Sequence, residues 1–330
     1  MYRANLTSSA QTALFFMLNT LACCTGASQD TPDPSEVVFQ AFAEHGAEGD
    51  IQLVNGVKAK RQDWPTILNA RLSPPGNKPA VTCTGVLVGP GVFLTAAHCF
   101  DSGLDRPIRS VVFLDIGGQK LPVSCRISDE YSKAIQEGGW RGNEPRVSQD
   151  YALCSFTLPD VSPELFNQLR YENIDSASTL NSGTHVLMTG FGCSDSAILL
   201  HPSTDLKLDG LLRIGDAQIQ SASSDGQEFS KQFASIQSPL NSAPALCRGD
   251  SGGPLFSGVT TDTQTQPRKV RAVNSTVQVI SGKVGAVAIS RVAPLATDSF
   301  RKFVATWLAT DKQKVICGFN HTPGYKPCRD

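Results

Sequence analysis

From Leu53 onward, apolar residues fall in short β-type runs, Val81 to Val88, Ser110 to Leu114, Val186 to Thr189 and Val284 to Val292, broken by Gly, Pro, Asn and Ser. Short strands at this spacing predict an all-β barrel or sandwich rather than alternating βα units. One helix stands apart near the end. Phe300, Phe303, Val304, Trp307 and Leu308 recur at i, i+3, i+4, i+7 and i+8, a single apolar stripe. Thr297, Asp298 or Ser299 can cap its start. Beyond it, over 311–330, Cys317 and Cys328 enclose Gly318, Pro323 and Gly324, which reads as a small disulfide tail. Residues 25 to 50 fold poorly on composition: Gly26, Ser28, Thr31, Pro32, Pro34 and Ser35 accompany six acidic residues. That fits a flexible tether or a short propeptide. No internal repeat is visible.

The first residues read as an export signal over 1–22. Arg3 precedes an apolar run that begins at Ala13-Leu14-Phe15-Phe16-Met17-Leu18 and ends near Ala22. Asn19 and Thr20 interrupt it, and it is too short to cross a bilayer comfortably; no other segment is apolar for long enough. Thr20-Leu21-Ala22-Cys23 resembles the lipobox of bacterial lipoproteins, whose cysteine is lipidated, although Leu is usual where Thr20 stands. Cleavage near Ala27 is the rival. Residues 23–52 are then a linker or propeptide, and the expected destination is secreted, periplasmic or cell-surface, with Cys23 as the lipidation candidate.

Composition narrows the class. The 330 residues are 40% hydrophobic and 18% charged, ordinary for a soluble globular protein. A formal net charge of -1 argues against an electrostatic nucleic-acid binder. Of ten cysteines, Cys23 and Cys24 lie in the leader region, leaving eight, an even set suited to disulfides in an oxidising space. No Cys-x-x-Cys pair occurs among the eight, so no metal is expected, and no cofactor.

Three segments carry chemistry. Cys247-Arg248-Gly249-Asp250-Ser251-Gly252-Gly253-Pro254-Leu255 sets a serine among glycines. A serine hydroxyl is a weak nucleophile that needs a base within reach and backbone N–H groups aimed at the developing oxyanion. Glycines allow the tight backbone that permits both. Leu94-Thr95-Ala96-Ala97-His98-Cys99 follows Cys83-Thr84-Gly85-Val86-Leu87-Val88, so a staple from Cys99 back to Cys83 can hold the imidazole rigidly. Gln149-Asp150-Tyr151-Ala152-Leu153-Cys154 places an acid directly before an apolar run; alone it is weak, and its value comes from the other two.

Together these segments resemble the chymotrypsin/trypsin family of serine proteases, in the family's order of His, then Asp, then Ser. The separations are 52 residues from His98 to Asp150 and 101 from Asp150 to Ser251 (251 − 150). The resemblance covers about 53–310, with Leu53-Val54-Asn55-Gly56 like the family's mature start, Asp63-Trp64-Pro65 after it, and Thr189-Gly190-Phe191-Gly192 near the second barrel. It implies two antiparallel six-stranded β-barrels with a C-terminal helix and a monomer acting on protein or peptide substrates. His98, Asp150 and Ser251 become the implied triad, and the N–H groups of Gly249 and Ser251 the implied oxyanion hole. The implied disulfides are Cys83–Cys99, Cys125–Cys154, Cys193–Cys247 and Cys317–Cys328, the third because Cys247 lacks its usual downstream partner.

Two departures from the family matter. Ala245 stands where trypsins carry the pocket-floor Asp, so cleavage after Arg or Lys is disfavoured. Val277 and Val287 align with the family's pocket-wall glycines, implying a shallow pocket for small or medium aliphatic residues. The family's activation would pair a freed N-terminal ammonium at Leu53 with Asp250, yet no Lys or Arg lies between Arg3 and Lys58. A cut after Gln52 would then need a non-tryptic protease. The alternative to an active enzyme is a catalytically silent, partner-binding member of the same fold, although His98, Asp150 and Ser251 are all retained. An α/β-hydrolase esterase fails on chain order. Asn274-Ser275-Thr276 matches a glycosylation sequon, a pattern common by chance.

Overall fold

A computed structural model describes residues 36–41, 53–73, 81–100, 111–137, 140–141, 144–145, 147–158, 166, 168–193, 196–200, 210–220, 233–263, 267–282 and 285–329. The export signal and the lipidation candidate Cys23 lie outside these residues. Among the described residues no helix is long and apolar enough to cross a membrane.

The strands, in chain order, begin with β1 (Glu36–Ala41), β2 (Val57–Lys58), β3 (Ile67–Ser73), β4 (Val81–Gly89), β5 (Val92–Thr95), β6 (Val111–Ile116) and β7 (Gln119–Ile127). Two short strands, β8 (Trp140–Arg141) and β9 (Glu144–Pro145), pair only with each other. Then come β10 (Ala152–Ser155), β11 (Asn173–Ile174), β12 (His185–Gly190), β13 (Arg213–Gln218) and β14 (Ala234–Pro239). The last are β15 (Pro254–Ser257), β16 (Lys269–Gly282) and β17 (Gly285–Pro294).

The first half closes into a barrel in the order β1-β3-β4-β5-β10-β7-β6. It has seven strands rather than six, because β1 comes from the stretch read as linker or propeptide. β1 pairs antiparallel with β3 and parallel with β6, closing the ring. Its sequence EVVFQA alternates, and Val37, Phe39 and Ala41 all face the core. The Phe39 ring lies 4.6 Å from that of Phe93 and 6.2 Å from that of Phe100. Averaged composition over 25–50 hides this alternation, which explains the missed strand.

The second half is an eight-stranded sheet ordered β14-β17-β16-β15-β12-β13-β2, with β11 paired off that path to β16. Just past β13, Gln220 N donates to Ser235 O at 2.9 Å, so the sheet curls back toward β14. Its interior packs Leu53, Val186, Met188, Ile236, Leu255 and Val292. Between the halves, the fully buried Arg268 and Glu172 pair at 2.7 Å, with the guanidinium 3.6 Å from the Trp64 ring centre and Thr66 Oγ1 donating to Glu172 at 2.6 Å.

Helix α1 (Asp129–Gln136) was not foreseen; Ser128 Oγ caps it by accepting from Tyr131 N. Its Tyr131 and Ile135 pack on Ala97. A short helix α2 (Ser196–Leu200) follows β12. Helix α3 (Asp298–Thr310) is capped by Thr297, whose Oγ1 accepts from Phe300 N at 3.1 Å, and buries Phe300, Phe303, Val304 and Trp307. Disulfides join Cys83 to Cys99, Cys125 to Cys154, Cys193 to Cys247 and Cys317 to Cys328. The tail docks on the first barrel through Cys317 N to Val88 O at 2.8 Å.

Candidate active site

β5 is buried along its whole length and delivers the chain into a tight turn, Ala97–Phe100, that carries His98. Two neighbours pin that turn: Cys99 by its disulfide to Cys83, and Ala97 by α1. The sulfurs of Cys83 and Cys99 approach a ring nitrogen of His98 within 4.8 Å. Because they are bonded to each other, these groups are a brace for the imidazole and not a metal site.

Asp150 precedes β10 and is fully buried. Its Oδ1 accepts from His98 N at 2.9 Å and its Oδ2 faces His98 Nδ1 at 2.6 Å. A third bond comes from Ser275 Oγ to Oδ2 at 2.5 Å. Burial pushes the carboxyl pKa up, but the His98 charge and these hydrogen bonds outweigh it and hold the pKa below the usual value. Behind Asp150, Tyr151 sets its ring edge-on to Phe300 at 5.0 Å and its hydroxyl 3.0 Å from Ser299 Oγ, so α3 backs the site.

Ser251 sits on the loop between Cys247 and β15. Its carbonyl accepts from Thr84 N at 2.7 Å, and its Oγ donates to Ser275 O at 3.4 Å. Gly252 (φ 84°) makes this docking feasible, since a Cβ there would collide with Thr95 Oγ1 and Thr84 O. The loop thus presses against β4 and β5, just before His98. Gly249 O accepts from Thr84 Oγ1 at 2.8 Å. Among the described residues, neither the Gly249 nor the Ser251 N–H is taken by a backbone carbonyl.

Ser275 is a further candidate site residue, which the sequence offered only as part of a sequon. A register irregularity between Asn274 and Thr276 takes it out of the β16–β17 pairing, so it meets Asp150 and Ser251 together. The sequon itself is unavailable to a glycan, because Asn274 is buried and donates from Nδ2 to Thr189 O at 2.8 Å.

The expected Leu53–Asp250 pair belongs to a chain cut after Gln52. In the uncut chain Leu53 carries an amide N–H in place of an ammonium, and its side chain is buried in the second core. The buried Asp250 carboxylate instead accepts from Gly192 N and Cys247 N, both at 2.7 Å. A Cβ at Gly192 would lie 2.6 Å from Asp250 Cγ, which accounts for that glycine. Burial pushes the Asp250 pKa up to about 7, against the two N–H groups and the Arg213 charge.

Of the pocket residues, Ala245 is buried in an apolar cluster with Val54, Leu240, Ala288 and the Cys193–Cys247 disulfide, and Val277 packs on it. Val287 is not there. Cross-strand partners share a face, and Val287 pairs with Ile280, one residue out of phase with Val279 and Ala288. Ala286 and Ala288 hold the cluster face instead.

Several known proteins are similar to this chain. A canine protein, chymotrypsin-like elastase family member 1, is 26% identical over 227 residues, 68% of this chain and 82% of its own length. Human kallikrein-11 is 23% identical over 222 residues, 67% of this chain and 72% of its own. Among solved structures, human heparin binding protein aligns over 82% of this chain and 99% of its own, with 16% identity and a TM-score of 0.46. The family model described as Trypsin matches residues 53–290, and the chain belongs to the trypsin family of serine proteases.

Proposed function

We propose that this protein is an exported serine endopeptidase in which Ser251 is the nucleophile, His98 the general base and Asp150 the group that orients His98. The observation that carries the reading is the double engagement of one buried carboxylate by His98, through its backbone N–H and its Nδ1. A proton on Nδ1 facing Asp150 puts the imidazole lone pair on Nε2. Ser251 Oγ then bonds to the scissile carbonyl carbon as its proton passes to Nε2. The C–N bond breaks, and the same proton leaves on the amine. Water repeats the sequence on the acyl-enzyme, with His98 again as base, and restores Ser251. Gly249 and Ser251 N–H groups stabilise the oxyanion in both halves.

With Ala245 in place of a buried carboxylate, that position offers no charge to balance an Arg or Lys side chain before the cut. The reading is therefore cleavage after small or medium apolar residues. Four disulfides suit an oxidising destination outside the cytoplasm.

The test is digestion of a mixed peptide library by the purified chain and by Ser251→Ala, with products sequenced by mass spectrometry. Cuts after Ala, Val or Leu, lost in the variant, are expected. No cuts, or equal cuts by both, would overturn the proposal.

A further inference from the structure

We infer that helix α2 forms one wall of the primary specificity pocket, with Ile198 and Leu199 limiting the size of the side chain it accepts. This rests on the proposed peptidase reading. Ser251 is hydrogen-bonded to β16 through Ser275, and Ala245 lies six residues before it (251 − 245). The side chain before the cut must therefore enter beside β16 and Ala245. That region is the apolar cluster on which Val277 and Val279 pack, and Ile198 and Leu199 pack on the same cluster.

The chain that leads into the helix is held there covalently. Cys193, three residues before Ser196, is bonded to Cys247, four residues before Ser251. The two ends of this link belong to the chain just before the helix and to the nucleophile loop, so the start of α2 stays within three residues of a covalent tie to that loop. The helix orientation agrees. Ile198 and Leu199 are half-buried, while Ala197 and Leu200 face solvent. Two branched or long aliphatic chains added to Val277 leave room for a few carbons, which favours Ala or Val over Phe.

The experiment measures kcat/KM for matched peptide substrates with Ala, Val or Phe before the cut, alongside the rate of Ser251 labelling by a fluorophosphonate. In Ile198→Ala/Leu199→Ala, the Phe-to-Ala ratio rises about tenfold or more, the usual worth of a few methylenes in an apolar pocket, while labelling stays as in the wild type. A reciprocal variant, Leu199→Phe, lowers the Val-to-Ala ratio, so the idea remains testable if the double variant folds poorly. Labelled variants with an unchanged substrate profile would overturn the wall assignment alone. A wild-type chain that fails to label would overturn the peptidase reading beneath it.

Discussion

The first barrel and the second sheet hold their parts of the site in different ways. His98 and Asp150 belong to the first barrel, where a disulfide, the packing of α1 and three hydrogen bonds on one carboxylate all constrain the same pair. The proposed pocket belongs to the second sheet and is shaped by the Cys193–Cys247 disulfide and by aliphatic contacts of Val277, Val279 and Ala288, with α2 packed on them. Small volume changes there alter apolar packing without leaving a charge unpaired. A position that is over-determined by charge tolerates no substitution, whereas one determined by volume tolerates many. Acid–base geometry should thus be the rigid half of the proposed enzyme and specificity the adjustable half.

The largest expected effect probes the rigid half. Asp150→Asn keeps the shape but stabilises the wrong imidazole tautomer, and kcat should fall about 10⁴-fold in a peptide assay. Next is the added strand. Phe39→Ala removes a buried ring tilted against Phe93, and urea unfolding should show a loss of about 3–5 kcal/mol. An unchanged midpoint would mean that β1 is dispensable to the barrel. Ser275→Ala should lower kcat/KM about tenfold, the scale of a hydrogen bond to a charged group. It should also shift the acid-side loss of stability to higher pH, because Asp150 loses a bond that lowers its pKa.

Asp250 carries a pH-dependent share of the stability. Its folded-state pKa is raised to about 7, so the folded state binds the extra proton between the ordinary carboxyl range and 7. Its contribution is favourable at low pH and declines as pH rises through that window. Asp250→Asn cannot titrate. Unfolding at pH 5 and pH 8 should therefore show a smaller penalty for the variant at pH 8. An equal penalty at both would contradict the raised value.

Much of this arrangement is legible in the sequence because it depends on local necessity. Gly252 is required by the close approach of Thr84 and Thr95, and Gly192 by Asp250, so the glycine motifs around them are readable. The stripe from Phe300 to Trp307 is readable because one helix face is buried. What escaped depends on distant partners. Ser275 gains its role from a local break in strand pairing, which leaves no mark on its three-letter context. That Val287 faces away from Val279 and Ala288 depends on the pairing register of β16 and β17, which is not written in either segment. β1 was averaged away by the acidic, Pro-containing residues around it. α1 was missed because its eight residues bury only Tyr131 and Ile135, too few to make a periodic signal.

The central claim is that His98 and Asp150 activate Ser251, and mass spectrometry of the intact chain after fluorophosphonate treatment tests it most directly. The account predicts one covalent adduct, mapped to Ser251, formed rapidly in the wild type and at least about 10³-fold more slowly in His98→Ala. An adduct elsewhere, or equal labelling with and without the imidazole, would contradict it.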